Sequence, residues 1–181
     1  MKGAYRLLLV EDTYGVEFHR KLVDMLVERA IVSCCCKPRI ERIPAGKCNQ
    51  ALRRKVLAKV FDESSWKALI VIDSERRSIE EAERGILNHF GREHSQHLKV
   101  VVVDPRHEAW LCIGMGLGRG SCRSDPELEI SKAIGTDYEK HMLGKLAARV
   151  SIESLLGEPD FQSYLEGLRW LLDCSGMRAL G

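Results

Sequence analysis

Three apolar runs in this 181-residue chain end in acids. Tyr5–Val10 (YRLLLV) runs into Glu11 and Asp12, residues 68–72 (ALIVI) into Asp73, Ser74 and Glu75, and residues 99–103 (KVVVV) into Asp104, with His107 and Glu108 just beyond. Carboxylates crowded at one edge repel one another, and protonation, basic partners or a hard divalent cation relieve the repulsion. Oxygen-only ligation selects magnesium or manganese over zinc. Glu11, Asp73 and Glu75 are therefore the candidate metal ligands. Any one of them could instead cap the helix that follows its strand. Asp73 and Glu75, however, leave one buried run together and can reach one crevice, which capping does not require.

Those acids converge only if the runs are strands of one sheet. Residues 68–72 are β-branched and carry no charge, the character of a strand buried on both faces of a parallel sheet. Between the runs, residues 13–30 place Val16, Leu22, Val23, Leu26 and Val27 near helical spacing. Residues 38–43 alternate weakly as a second strand. Pro44, Ala45 and Gly46 then break the chain before a basic amphipathic helix at 49–61, with Leu52, Val56, Leu57 and Val60 on its apolar face. Ser78 with Glu81 is a capping-box signature for a helix running to about residue 90. The βαβαβαβ order predicts an α/β fold, a four-stranded, mainly parallel, Rossmann-like sheet with flanking helices and right-handed crossovers. In such sheets ligands bind outside the carboxyl ends of the strands, where these acids lie.

Past Asp104 the pattern turns helical. A helix at 107–115 buries Trp110 between Ala109 and Leu111. His107 at its start reads as a ligand, a proton shuttle or an ordinary loop histidine. Gly114, Gly116, Gly118 and Gly120, followed by residues 121–126, predict a loop, best read as a lid, since the glycines lack the order of a phosphate-cradling turn. Helices follow at 127–133, 138–150 and 160–173, the last with Phe161, Tyr164, Leu165, Leu168 and Leu172 in one stripe. We expect one domain, an α/β core over residues 1–106 with a helical extension, 107–181, packed on it.

Composition bounds the function. Apolar residues make up 45% and charged residues 30% of the chain, which is globular, while a net charge of +2 leaves any nucleic-acid contact to a local patch. No apolar run approaches the roughly 18 residues of a membrane span and no signal-peptide pattern opens the chain, so the expected location is the cytoplasm, away from membranes. Of seven cysteines, Cys34, Cys35 and Cys36 are adjacent and Cys48, Cys112, Cys122 and Cys174 are scattered without a C-x-x-C pair. That spacing argues against a zinc or disulfide framework and for free thiols serving as small hydrophobes.

The sequence of an apolar strand ending in Glu11, then one ending in Asp73-Ser74-Glu75, resembles the Toprim fold of topoisomerases, DnaG-type primases and OLD-family nucleases. Further stretches are similar to an uncharacterised prokaryotic Toprim-like branch related to the OLD and RloB groups. They are Gly46-Lys47, Glu108-Ala109-Trp110, and Tyr138-Glu139-Lys140 with Phe161 and Tyr164 following. The chain departs from the Toprim pattern at two positions: Asp12 stands where glycine is usual, and Glu75 replaces the second aspartate of D-x-D with a longer ligand.

The resemblance implies metal-dependent phosphoryl transfer on nucleic acid, most simply a nuclease. Mg2+ or Mn2+ on Glu11, Asp73 and Glu75 would polarise a phosphoryl oxygen and lower the pKa of bound water. Glu108 would hold a second metal or act as general base. Lys47, Arg76, Arg77 and Lys140 would meet phosphates, although each alone also reads as a solvated surface cation. Two other readings stay open. A non-catalytic Toprim-like scaffold would bind nucleic acid or a partner protein in a defence or repair complex. The opening LLLVED also resembles a response-regulator receiver domain, but the D-S-E-R-R context and the helical tail do not fit one.

Overall fold

The computed structural model describes residues 5–11, 13–43, 50–60, 65–75 and 77–174. Strands β1 (Tyr5–Val10), β2 (Arg39–Arg42), β3 (Trp66–Asp73) and β4 (Leu98–Val103) form one parallel sheet in the order β2-β1-β3-β4. The expected α/β fold is present, with every pairing parallel. β1 and β3 are the inner strands, and Val10 pairs with Val71 near the carboxyl end of their shared ladder.

Strand periodicity divides the apolar residues between the two faces. Leu8, Val10, Leu69, Val71, Val101 and Val103 face one cluster, together with helix α1 (Thr13–Glu28) and the C-terminal helices. Leu7, Leu9, Ala68, Ile70, Ile72 and Val102 face the other, under α2 (Gln50–Val60) and α3 (Ile79–Leu87). Because both faces are covered, the inner strands need no polar alternation, which explains their unbroken apolar runs. α3 opens with the predicted capping box: the Ser78 hydroxyl accepts from the Glu81 N–H, and the Glu81 carboxylate accepts from the Ser78 N–H.

The region after β4 is built around α4 (His107–Gly114), whose eight residues are all buried. A helix apolar on every side belongs inside a core, and Trp110 lies wholly within it. Helices α5 (Arg119–Ser124) and α6 (Pro126–Ile134) pack against α4. Two short helices, α7 (Leu143–Leu146) and α8 (Ile152–Leu155), precede α9 (Pro159–Leu172), which lies on β3 and β4. Gly167 permits that close approach: a Cβ there would stand 2.8 Å from Leu69 Cδ1.

Three expectations are corrected. The stretch at 121–126 is not all loop. Residues 119–124 are helical, because Cys122 is drawn into the core and disulfide-bonded to Cys112, with Cα atoms 5.6 Å apart. A second disulfide joins Cys35 to Cys174, so four cysteines are paired where free thiols were expected. The single helix expected over 138–150 is a string of short turns, two of them 3-10 turns at Lys140–Met142 and Ala147–Arg149. Among the described residues no helix is long and apolar enough to cross a membrane.

Candidate metal centre

β1 stops at Val10 while its neighbour β3 continues to Asp73. The Asp73 N–H therefore extends past the last carbonyl of the ladder, and the Glu11 carboxylate takes it instead, with Asp73 N to Glu11 Oε2 at 2.6 Å. The Glu11 carboxylate thus reaches the Asp73 backbone because adjacent parallel strands end one after the other.

Asp73 is held by a second element. Its Oδ1 accepts from the His107 N–H at 3.0 Å and lies 2.5 Å from His107 Nδ1. Arg106 makes no side-chain cap at the start of α4, so Asp73 satisfies one of that helix's orphan N–H groups from across the sheet edge. Among the described residues its other oxygen, Oδ2, makes no hydrogen bond. Ser74 next to it is fully buried, donating from its hydroxyl to Asp104 Oδ1 at 2.8 Å.

Glu75 leaves the strand with a left-handed backbone, φ 50°, and its carboxylate sits 3.8 Å from Arg77 Nη2. Asp73 and Glu75 line one cleft of about 410 Å³, together with Pro105, Arg106, Arg123, Ser124 and Lys140. Glu11, Asp73 and Glu75 do not close to a tight cluster. Among the described residues, the one group of three candidate ligands with donor atoms all within 4.8 Å of one another is Cys35, Cys36 and Cys174.

Glu108 is buried one residue inside α4 and points into the protein, with the Tyr138 hydroxyl 3.4 Å from its Oε1. Burial pushes its carboxyl above the ordinary value. Its own backbone N–H pulls the other way, Asp73 adds to the rise, and His107 and Lys140 oppose it. Such a group holds its proton in a range where ordinary glutamates have lost theirs. Arg77 braces the turn after β3, its Nε donating to the Ser74 carbonyl. Asp12, Gly46, Lys47 and Arg76 lie outside the described residues.

Sequence reasoning missed three residues in and behind the cleft. His19 of α1 is fully buried, with Nδ1 2.8 Å from the Tyr164 hydroxyl and its ring edge-on to His107 at 4.9 Å. Burial, then the neighbouring His107, drives its pKa well below the ordinary value, which keeps it neutral. Asp160 and Arg123 form a bidentate pair, with Nη1 to Oδ2 and Nη2 to Oδ1 both at 2.9 Å. Asp160 also accepts from the Asp104 N–H and the Trp110 indole, both at 3.0 Å. Only Arg123, a cation with Arg119 in a small-residue stretch, carried any sequence signal. Compared with models of protein families, with curated proteins and with solved structures, the chain matches none.

Proposed function

We propose that this chain is a Toprim-type, divalent-metal-dependent enzyme of phosphoryl transfer on nucleic acid, most simply a cytoplasmic nuclease. The observation that carries the reading is the meeting of Glu11 with Asp73 at the carboxyl edge of the two inner strands, beside a cleft that also carries Arg106, Arg123 and Lys140. Two carboxylates are few for a calcium cage but fit Mg2+ or Mn2+, since magnesium keeps several waters and is commonly held by one or two carboxylates plus substrate phosphate. When bound there, the ion would supply Lewis acidity toward a phosphoryl oxygen and a more acidic water.

The chain's own residues have distinct tasks. His107 fixes one oxygen of Asp73 and leaves the other for the cation, the role an outer-shell partner plays for a ligating carboxylate. Lys140 brings positive charge to the cleft for a phosphodiester. Arg106 and Arg123 do so less strongly, because Arg106 is paired with Glu127 and Arg123 with Glu158 and Asp160. Glu108, buried and inclined to keep its proton, suits holding Tyr138 and the start of α4 better than accepting a proton from water.

One observation favours a second reading, a non-catalytic scaffold for nucleic acid or a partner protein. Glu75 is turned toward Arg77, and the three acids do not close on one point. Thermal unfolding of wild type and Asp73→Ala with and without Mn2+, beside incubation with labelled single- and double-stranded DNA and RNA, separates the two. Mn2+-dependent stabilisation and cleavage that both vanish in Asp73→Ala support the nuclease. A wild type indifferent to Mn2+ overturns it and leaves the scaffold.

A further inference from the structure

At the opposite edge of the sheet lies a second group of ligands. Cys35 and Cys36 belong to the connection between α1 and β2, and Cys174 follows α9. The Asp173 carbonyl accepts from Arg6 Nη2 at 3.3 Å and Lys67 Nζ at 3.2 Å, near the starts of β1 and β3. The cysteines therefore sit at the amino edge, a strand length from Glu11 and Asp73.

A structural disulfide needs two sulfurs, and here there are three. Cys36 Sγ stands 3.9 Å from Cys35 Sγ and 3.8 Å from Cys174 Sγ. Zinc–sulfur bonds of about 2.3 Å at tetrahedral angles set neighbouring sulfurs about 3.8 Å apart. Two edges of a thiolate triangle thus already have metal-site length, and the third is the Cys35–Cys174 bond, which reduction would open. Cys34 is turned away, its Sγ directed to the Cys36 carbonyl at 3.2 Å. The site opens on a cavity of about 560 Å³ that Ser33, Arg169 and Asp173 also line, so an ion and its water can enter. Cys35 Sγ also lies 2.9 Å from the Leu172 carbonyl at the carboxyl end of α9, where the helix dipole favours a cation.

We propose that Cys35, Cys36 and Cys174, in the reduced protein, bind one zinc ion through three thiolates with water in the fourth position. A dithiol reductant converts the Cys35–Cys174 disulfide to two thiols and is itself oxidised to a disulfide. Zinc then displaces one proton from each of the three thiols. The ion would clamp the chain after α9 to the segment before β2, the two segments the disulfide joins when oxidised.

Cobalt titration of the reduced, metal-free protein tests this, because three thiolates give an intense sulfur-to-cobalt charge-transfer absorption that carboxylates do not. We expect the band to saturate at one equivalent and to be bleached by one equivalent of zinc. Cys36→Ser and Cys174→Ser should each weaken binding by more than the ~10–100-fold that loss of an outer-shell partner costs. Cys34→Ser and Asp73→Ala should leave the band unchanged. The proposal is overturned if the reduced wild type gives no band, if Cys36→Ser binds as the wild type does, or if the band forms with the disulfide intact. Loss of the band in Cys34→Ser or Asp73→Ala would place the cobalt on other ligands and overturn it equally.

Discussion

Asp73 and Asp160 are two acids at the same end of the sheet, solved in opposite ways. Asp160 takes five hydrogen bonds: two from Arg123, and one each from the Asp104 N–H, the Phe161 N–H and the Trp110 indole. Its side chain is 4% exposed. Asp73 is 16% exposed and lines the cleft, with one oxygen anchored by His107. A carboxylate whose oxygens are all taken by fixed donors is finished as a structural joint. One held by half keeps its orientation and still has a lone pair to offer a cation. The difference fits Asp73, rather than Asp160, to the proposed role of metal ligand.

The sharpest way to break that comparison is to remove each acid in turn without metal. Asp160→Ala leaves Arg123 paired with Glu158 alone and strands the indole and two backbone N–H groups, and breaking a buried pair of this kind costs up to about 3–5 kcal/mol. Urea unfolding should show that loss, with Asp73→Ala costing clearly less. Equal losses would erase the distinction. The acid limb gives a second reading. Burial works to raise the Asp160 carboxyl, but Arg123, the Asp104 N–H and the Trp110 indole hold it below its ordinary value. Its unfolded-state value is about 3.9, so the unfolded chain binds the proton first. The stability Asp160 contributes is present above about pH 4 and falls away as pH drops through the lower folded value. Asp160→Asn should flatten that limb.

Metal reverses the ranking. At Mn2+ one hundred times above its dissociation constant, wild type should gain about 2.7 kcal/mol. Asp73→Ala should gain nothing, and Asp160→Asn, if folded, should still respond. His107→Ala is the intermediate case. It removes the imidazole from Asp73 but keeps the backbone N–H on Oδ1, so Mn2+ affinity should fall by up to roughly 10–100-fold, as for other outer-shell partners. An unchanged affinity, measured by calorimetry, would mean that the His107 side chain does not orient the ligand.

The same contrast explains what the sequence revealed. β1, β3 and β4 are legible because strands covered on both faces read as unbroken apolar runs, and the acids ending them follow directly, so Glu11 and Asp73 could be paired before any coordinates. The Ser78–Glu81 box is legible because it is local. Asp160 is not, because an acid after Pro159 looks like any first-turn helix residue, and its five donors come from Asp104 just after β4, from α4, α5 and α9 itself. α5 is hidden for a related reason. Glycine and serine signal a loop, and only long-range partners, Cys112 for Cys122 and Asp160 with Glu158 for Arg123, hold the segment helical. His19 lies on the buried side of a helix whose apolar pattern is clear, so its role depends on His107 and Tyr164, remote in sequence.

Glu75 yields the smallest effect and bears on whether the centre has two carboxylates or three. Its left-handed backbone costs an L-residue roughly 1–2 kcal/mol, which glycine avoids. Glycine adds back about 0.5–1 kcal/mol through the freedom it has when unfolded. Glu75→Gly should therefore leave metal-free stability unchanged or raised by up to about 1.5 kcal/mol, a gain read as a small rise in Tm. Stability and ligation then come apart in one variant. If the Mn2+ response survives, Glu11 and Asp73 are the whole protein contribution and the pairing of Glu75 with Arg77 is its resting role. If the response falls while the metal-free Tm holds, Glu75 swings from Arg77 to the cation, and the left-handed turn is the strain that keeps it within reach.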